Sequence, residues 1–597
     1  MTRVVVSLIL LSSISTLVNS DTVTVESKSG RIVGDEVHFS HKDVDIKNTV
    51  NVFKGIPYAV PPVGKLRFKP PLPVIPWTGD YNATYLRPAC IQAESTMIPL
   101  NEPTDEDCLH LNIYAPKSAN KAAVMVWIHG GGFVLGSGSN VYYDGFPLAA
   151  INDVIVVGIN YRLGVLGFLS TGDDVISGNY GLMDQLEALK WIKANIEYFG
   201  GDPDRITIFG ESAGSISVNL HIFSPMSKGL FKRAIMQSGV SAAAFTYNND
   251  KEMITKLAHG VGELVGCKSD TSDALLQCLR DVTPADRFLD VQDLTTGRLE
   301  KVTGLKGLYF PFLPCIDGHF VTDDPVEMIN DERIIAIDAM MGSMANENIV
   351  SLLAVYPEAS NWSSVTMNRH EFEKHLPTFS PVSLLAKGPL VVEAVKLLYT
   401  DWYTIDTPKE NYTSAFVSIF SDEAIVCPTN TLAHAMSKSG SNVYLYQMSY
   451  SASRSMWGFD WTKAAHGDDL QFVFGWHFRS QNDWQMSPED VDVSLQMMKY
   501  WTNFAKTGDP NQANEYVTLM YSPEDFRSHW PTFNTNDAEY KDITLEMNIN
   551  RSALKAQECA FWTKYVPKLV EYIRENPDCK DAEVDAKTKY TKMENIP

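Results

Sequence analysis

The sequence predicts an α/β fold, with a large, mostly parallel central sheet flanked by helices. Three observations carry this. Short buried apolar runs recur along the chain, separated by stretches with helical periodicity. One such run, Arg205-Ile206-Thr207-Ile208-Phe209, turns through Gly210-Glu211-Ser212-Ala213-Gly214 into a helical stretch over 213–223. Hydrophobic residues make up 45% and charged residues 20%, which is enough apolar mass for one sizeable core.

The strand candidates, in order, are 123–128, 154–160, 205–209, 233–238, 336–341 and 442–448. Between them, 182–199 is the clearest helix. Leu186, Leu189 and Ile192 recur at helical spacing, and Gly200-Gly201 stops it. A second helix spans 553–576 and carries Phe561, Trp562, Tyr565 and Leu569; Pro567 must kink or divide it. Strands alternating with helices imply chemistry at the strands' C-terminal ends. No Pro/Ser-rich linker, repeat or charge block divides the chain. Residues 21–576 therefore read as one domain, and 577–597 as a polar tail expected to be flexible.

Two motifs carry chemistry. A G-x-S-x-G on a strand-to-helix turn is a nucleophile elbow, whose tight backbone excludes bulky neighbours and exposes Ser212 at a helix N-terminus. Some 80 residues earlier, the apolar run 123–128 leads into His129-Gly130-Gly131-Gly132-Phe133. This is the glycine-rich loop that brings backbone N–H donors to a carbonyl oxygen. Gly131 and Gly132 are the expected donors, with Ala213 as the third. His129, just before the glycines, is expected to order the loop rather than to act as a base.

A nucleophilic serine needs a base, and the base needs an orienting acid. His466, one of 13 histidines, sits in a small-residue loop ahead of an apolar run. Glu347 closes the apolar stretch Met340-Met341-Gly342-Ser343-Met344. Spacing alone does not choose it among the other acids.

Several further stretches bear on that choice: Phe53-Lys54-Gly55-Ile56-Pro57-Tyr58-Ala59, Glu106-Asp107-Cys108-Leu109-His110-Leu111-Asn112, Asn160-Tyr161-Arg162-Leu163-Gly164, Asn179-Tyr180-Gly181-Leu182-Met183-Asp184-Gln185 and Gln237-Ser238-Gly239. With these, the chain resembles the carboxylesterase and cholinesterase family of α/β hydrolases from about residue 23 to about residue 576. In character it is closest to the insect-type esterases. The resemblance implies the α/β-hydrolase fold, Glu347 as the acid and His466 as the base. It places Ser238 and Asp469 at positions that support the histidine. Gly often follows the acid in that family; here Asn348 does, and Asn tolerates left-handed backbone. At the position of Asp469 the family usually has Glu.

The implied chemistry is hydrolysis of a carboxylic ester through an acyl-enzyme on Ser212, with no metal or organic cofactor. Specialised relatives that hydrolyse juvenile hormone carry Gln before the serine, and Glu211 departs from them. In cholinesterases a tryptophan between the first cysteine pair cradles the quaternary ammonium by cation–π attraction. Residues 91–107 contain no Trp, Tyr or Phe. A general carboxylesterase is therefore expected. The alternatives are a hormone or pheromone esterase and a slow-turnover ester-sequestering protein. Tyr309, Phe310 and Phe312 read equally as the acyl-side wall of the pocket or as plain core. Adhesion proteins of this family lose triad residues and carry a membrane span, neither of which applies to this sequence.

Residues 1–20 read as a secretory signal peptide: Arg3, a short apolar stretch over 4–11 and a small-residue end before Asp21. Export permits disulfides among the eight cysteines. The resemblance implies Cys90–Cys108, Cys267–Cys278 and Cys427–Cys559. That leaves Cys315 as a buried thiol and Cys579 in the tail, either free or joining two chains. Sequons at Asn82, Asn361, Asn411 and Asn550 fit a secreted glycoprotein. The net charge of −22 argues against nucleic acid and anionic membranes. The expected partner is a small-molecule ester, with the protein a monomer or homodimer.

Overall fold

Among the described residues, thirteen strands form one sheet. They are β1 (Asp21–Ser27), β2 (Gly30–His41), β3 (Val44–Pro57), β4 (Asp80–Asn82), β5 (His110–Pro116), β6 (Ala122–Ile128), β7 (Ile155–Ile159), β8 (Gly201–Glu211), β9 (Arg233–Gln237), β10 (Asp338–Met344), β11 (Val443–Met448), β12 (Glu539–Ile543) and β13 (Ile549–Ser552). The computed structural model describes residues 21–576 apart from 96–97, 101, 244–245, 293–296, 306–309, 357–363, 378–387, 459, 480–483 and 513–528. The expected leader, Tyr309, the sequon at Asn361 and the tail with Cys579 lie outside the described residues.

The spatial order is β1-β2-β3-β5-β7-β6-β8-β9-β10-β11-β12-β13, with β4 beside β2. From β7 through β12 every neighbour is parallel; β1, β2, β3, β5 and β13 join antiparallel. Each of the six strand candidates is a parallel strand of this central stretch.

Alternation along β6 shows how the sheet is buried on both faces. Val124, Val126 and Ile128 enter one core with Leu182, Leu186, Leu189 and Ile192 of α1 (Tyr180–Asn195) and Val218 and Leu220 of α2 (Ala213–Phe223). Met125 and Trp127 enter the other, with Met497, Trp501 and Phe504 of α3 (Pro488–Thr507). Two covered faces are why these strands read as continuous apolar runs.

α1 gives way to a tighter turn over Ile196–Phe199, and Gly200 closes it at φ 85°. The second expected helix is divided as Pro567 requires. Ala556–Ala560 leads through a π-helical turn, Phe561–Tyr565, into α4 (Val566–Glu575), with the proline in its first turn.

Disulfides join Cys90 to Cys108, Cys267 to Cys278 and Cys427 to Cys559. Cys315 is a free thiol, buried, and burial pushes its pKa up to about 12. The Cys427–Cys559 bridge spans 132 residues and pins the C-terminal helical segments to the body. Its removal in a Cys427→Ala/Cys559→Ala double variant should cost about 4–5 kcal/mol in the loop-entropy account, checked by urea denaturation. The sequons at Asn82, Asn411 and Asn550 are exposed.

Candidate active site

β6 and β8 are adjacent and parallel, and Ile128 stands opposite Gly210 in the register. The glycine loop and the elbow therefore leave the sheet side by side at its C-terminal edge. The chain runs from β6 to β7 on one flank and then to β8 on the other, so this edge is a topological switch point.

Ser212 sits at φ 56°, ψ −123°, a strained conformation for a residue with a Cβ. Its N–H donates to Gln237 O at 2.9 Å, and its carbonyl accepts from Ile216 N–H at 2.9 Å. Both flanking glycines are required by crowding. A Cβ on Gly210 would lie 2.5 Å from the carbonyl carbon of Gly214, and one on Gly214 would strike the Ile128 carbonyl. The helix that Ser212 heads, α2, is buried along its whole length.

A Cβ on Gly130 would stand 3.1 Å from Ser212 Cβ, so the glycine loop is packed directly on the elbow. Gly131 (φ 105°) and Gly132 (φ 62°) occupy left-handed backbone, and Val134 and Leu135 N–H close the turn on Gly131 O. His129 lies beneath. Its ring stacks on Tyr161 at 4.3 Å, and its Nδ1–H donates to Gly130 O at 2.9 Å. Burial lowers its pKa to about 4, so it stays neutral and holds the loop.

Glu347 is 2% exposed. Its Oε1 accepts from Met344 N–H at 2.7 Å, and its Oε2 lies 2.6 Å from His466 Nδ1. The His466 loop is fixed from several sides. Asn346 N–H donates to Ala464 O at 3.0 Å, and Trp457 Nε1–H to His466 O at 2.9 Å. Asp468 accepts from Ser455 Oγ–H at 2.8 Å, Met456 N–H at 2.8 Å and Ala465 N–H at 3.1 Å. Burial raises the Asp468 pKa to about 7 against those hydrogen bonds.

The other imidazole nitrogen, His466 Nε2, lies 3.0 Å from Glu211 Oε1. Glu211 thus places its carboxylate on the nitrogen that faces the elbow. Burial disfavours the charged ring, but Glu211 and Glu347 outweigh it and hold the His466 pKa well above its ordinary value. A base acts only when deprotonated, so activity should rise as pH passes this raised pKa. Glu211→Gln removes one of the two raising charges. The acidic limb of kcat/KM should therefore move to lower pH, and an unmoved limb would refute the assignment.

Ser238 and Asp469 are both buried. Asp469 Oδ2 accepts from Gln237 Nε2–H at 2.8 Å and Tyr446 OH at 3.3 Å, and Gln237 Oε1 accepts from Trp501 Nε1–H at 3.0 Å. This ties the end of β9 to β11 and α3. Ser238 donates its N–H to Gly342 O at 2.9 Å. Ser238 Oγ and Asp469 Oδ1 are buried without a hydrogen-bond partner among the described residues. Burial, and then Glu211, raise the Asp469 pKa to about 7.

The two described aromatics of the expected pocket wall separate. Phe312 is core, at 2% exposed. Phe310 is 45% exposed and stands over the glycine loop, where a Cβ on Gly132 would meet its ring at 2.8 Å.

Residues 20–562 match the family model described as the carboxylesterase family. The chain is 35% identical to an acetylcholinesterase of Bungarus fasciatus, over 87% of this chain and 84% of that protein. It is 34% identical to an acetylcholinesterase of Electrophorus electricus, over 95% and 92% respectively.

Proposed function

The chain belongs to the carboxylesterase family of α/β hydrolases, and from that premise we propose that it is a general carboxylesterase whose nucleophile is Ser212. Family membership supports serine ester hydrolysis. The observation that carries the residue assignment is His466, held by Glu347 at 2.6 Å beside the elbow and its glycine loop. In the proposed cycle, His466 takes the Ser212 proton as Oγ attacks the ester carbonyl. The N–H groups of Gly131, Gly132 and Ala213 hold the oxyanion. His466 then protonates the leaving alcohol, and water repeats the attack on the acyl-enzyme.

The acetylcholinesterase relatives favour a second reading, a choline-ester substrate. Against it stands the segment between Cys90 and Cys108, which offers no aromatic face for a quaternary ammonium. A panel of p-nitrophenyl esters of graded acyl length, run beside acetylthiocholine, decides between them. Preference for acetylthiocholine would overturn the carboxylesterase reading. A stoichiometric burst followed by near silence on every ester would indicate a sequestering protein instead. The three disulfides suit an oxidising compartment, and we take the protein to be exported. Among the described residues, no helix is long and apolar enough to cross a membrane.

A further inference from the structure

The turn of the hairpin β2–β3 carries two groups that ester hydrolysis does not use. β2 ends at His41, and Lys42 and Asp43 make the turn. Facing them is His477, in the single helical turn Trp476–Phe478 that lies between the His466 loop and α3. His477 Nε2 is 2.7 Å from Asp43 Oδ2, and His41 Nδ1 is 3.6 Å from the same oxygen. One ligand atom from each residue lies within 4.8 Å of the other two. The two imidazoles meet edge to face at 5.0 Å, and each packs on Phe478 at 5.2 Å. His477 is buried, the His41 side chain is 13% exposed, and Asp43 reaches in from solvent.

We propose that His41, Asp43 and His477 form a binding site for a divalent transition-metal ion of the zinc class, with one coordination position left to solvent. A tetrahedral ion bonded at about 2.0–2.1 Å holds its ligand atoms about 3.3 Å apart. The two edges to Asp43 Oδ2, 2.7 and 3.6 Å, bracket that spacing, and the third lies within 4.8 Å. Two imidazoles and one carboxylate select zinc, copper or nickel over calcium or magnesium, which take oxygen.

The ring protons also fit. His41 Nδ1 accepts from Asp43 N–H at 3.3 Å, so its proton is on the far nitrogen, and an ion at Nδ1 would take the lone pair from this long hydrogen bond. His477 Nδ1 accepts from Met486 N–H at 3.3 Å, which puts its proton on Nε2 toward Asp43. An ion at Nε2 would move that proton to Nδ1, costing one long hydrogen bond.

A simple ion pair accounts for less of this arrangement. Asp43 already has His477 as its partner at 2.7 Å, yet His41 Nδ1 also stands 3.6 Å from the same oxygen. A metal uses both rings in the neutral form. The ion would tie the β2–β3 hairpin to the segment that follows the His466 loop.

The test uses the full-length protein, stripped with chelator and titrated with zinc chloride by calorimetry and thermal denaturation. The wild type should bind one zinc ion and melt higher when loaded. His41→Ala and Asp43→Asn should each weaken binding at least about tenfold, given that even outer partners of a metal site are worth 10–100-fold. Both should lose the thermal shift. His38→Ala, which removes an exposed histidine on the same strand, should match the wild type and controls for adventitious surface binding. Turnover of p-nitrophenyl acetate by the zinc-free variants should be unchanged. Equal zinc binding by the wild type and both site variants, or none by the wild type, overturns the proposal. A variant whose zinc-free melt shows that it has not folded is excluded, and the other then decides.

Discussion

Replacing Ser212 with alanine should lower kcat about a million-fold, on the scale seen when the nucleophile of a serine–histidine–acid unit is removed. The expectation follows from what the substitution leaves in place. Alanine keeps the Cβ, so the strained backbone at φ 56°, the N–H bond to Gln237 O and the packing on Gly130 all survive. Only the attacking oxygen is lost. His466 then has no hydroxyl to deprotonate, while the glycine loop can still polarise a bound ester. A residual rate of about a thousand- to ten-thousandfold over water is therefore expected, with KM little changed. The measurement is steady-state hydrolysis of p-nitrophenyl butyrate with a pre-steady-state burst assay. The burst should vanish with the steady rate. A variant within about a hundredfold of wild-type kcat would show that Ser212 is not the nucleophile.

Sequence made the parallel centre of the sheet legible and left its flanks dark, for a physical reason. β6 through β11 are covered on both faces and read as unbroken apolar runs. β1 to β3 run to one edge of the sheet; β1 has no buried residue, and β2 and β3 mix buried with exposed and half-buried positions. A search for buried runs passes over such strands. The elbow and the glycine loop were legible because their glycines answer to local crowding. Glu347 was not, because in sequence it differs from a surface glutamate only through His466, which arrives from 119 residues further along. Glu211 escaped for the same reason. In the sequence it counts against one specialised substrate, whereas in the structure its carboxylate lies on His466 Nε2. Its signal was a carboxylate inside the tight elbow, where a side chain has few directions to point. Asp468 was likewise passed over, although it holds three donors of the His466 loop.

Glu347→Gln should lower kcat on the order of ten-thousandfold, about 5.5 kcal/mol of transition-state stabilisation, although almost nothing about its shape changes. The hydrogen bonds dictate the outcome. Glu347 Oε1 accepts from Met344 N–H, so the glutamine oxygen must take that place. The amide NH2 is then turned toward His466 Nδ1, where Glu347 Oε2 now stands at 2.6 Å. An NH2 group can only donate, so Nδ1 must become the acceptor and the ring proton must move to Nε2. That is the nitrogen that has to accept the Ser212 proton. The variant would hold the base in the wrong tautomer, with the Glu211 carboxylate, 3.0 Å from Nε2, favouring the misplaced proton by its charge. Two readouts distinguish this from simple damage. Thermal stability should fall only modestly, since the Met344 hydrogen bond is kept. Glu211→Gln in the same background should recover part of the lost rate, because it removes the negative charge that favours the proton on Nε2. A single variant that keeps kcat within tenfold of wild type would mean that Glu347 does not orient the base.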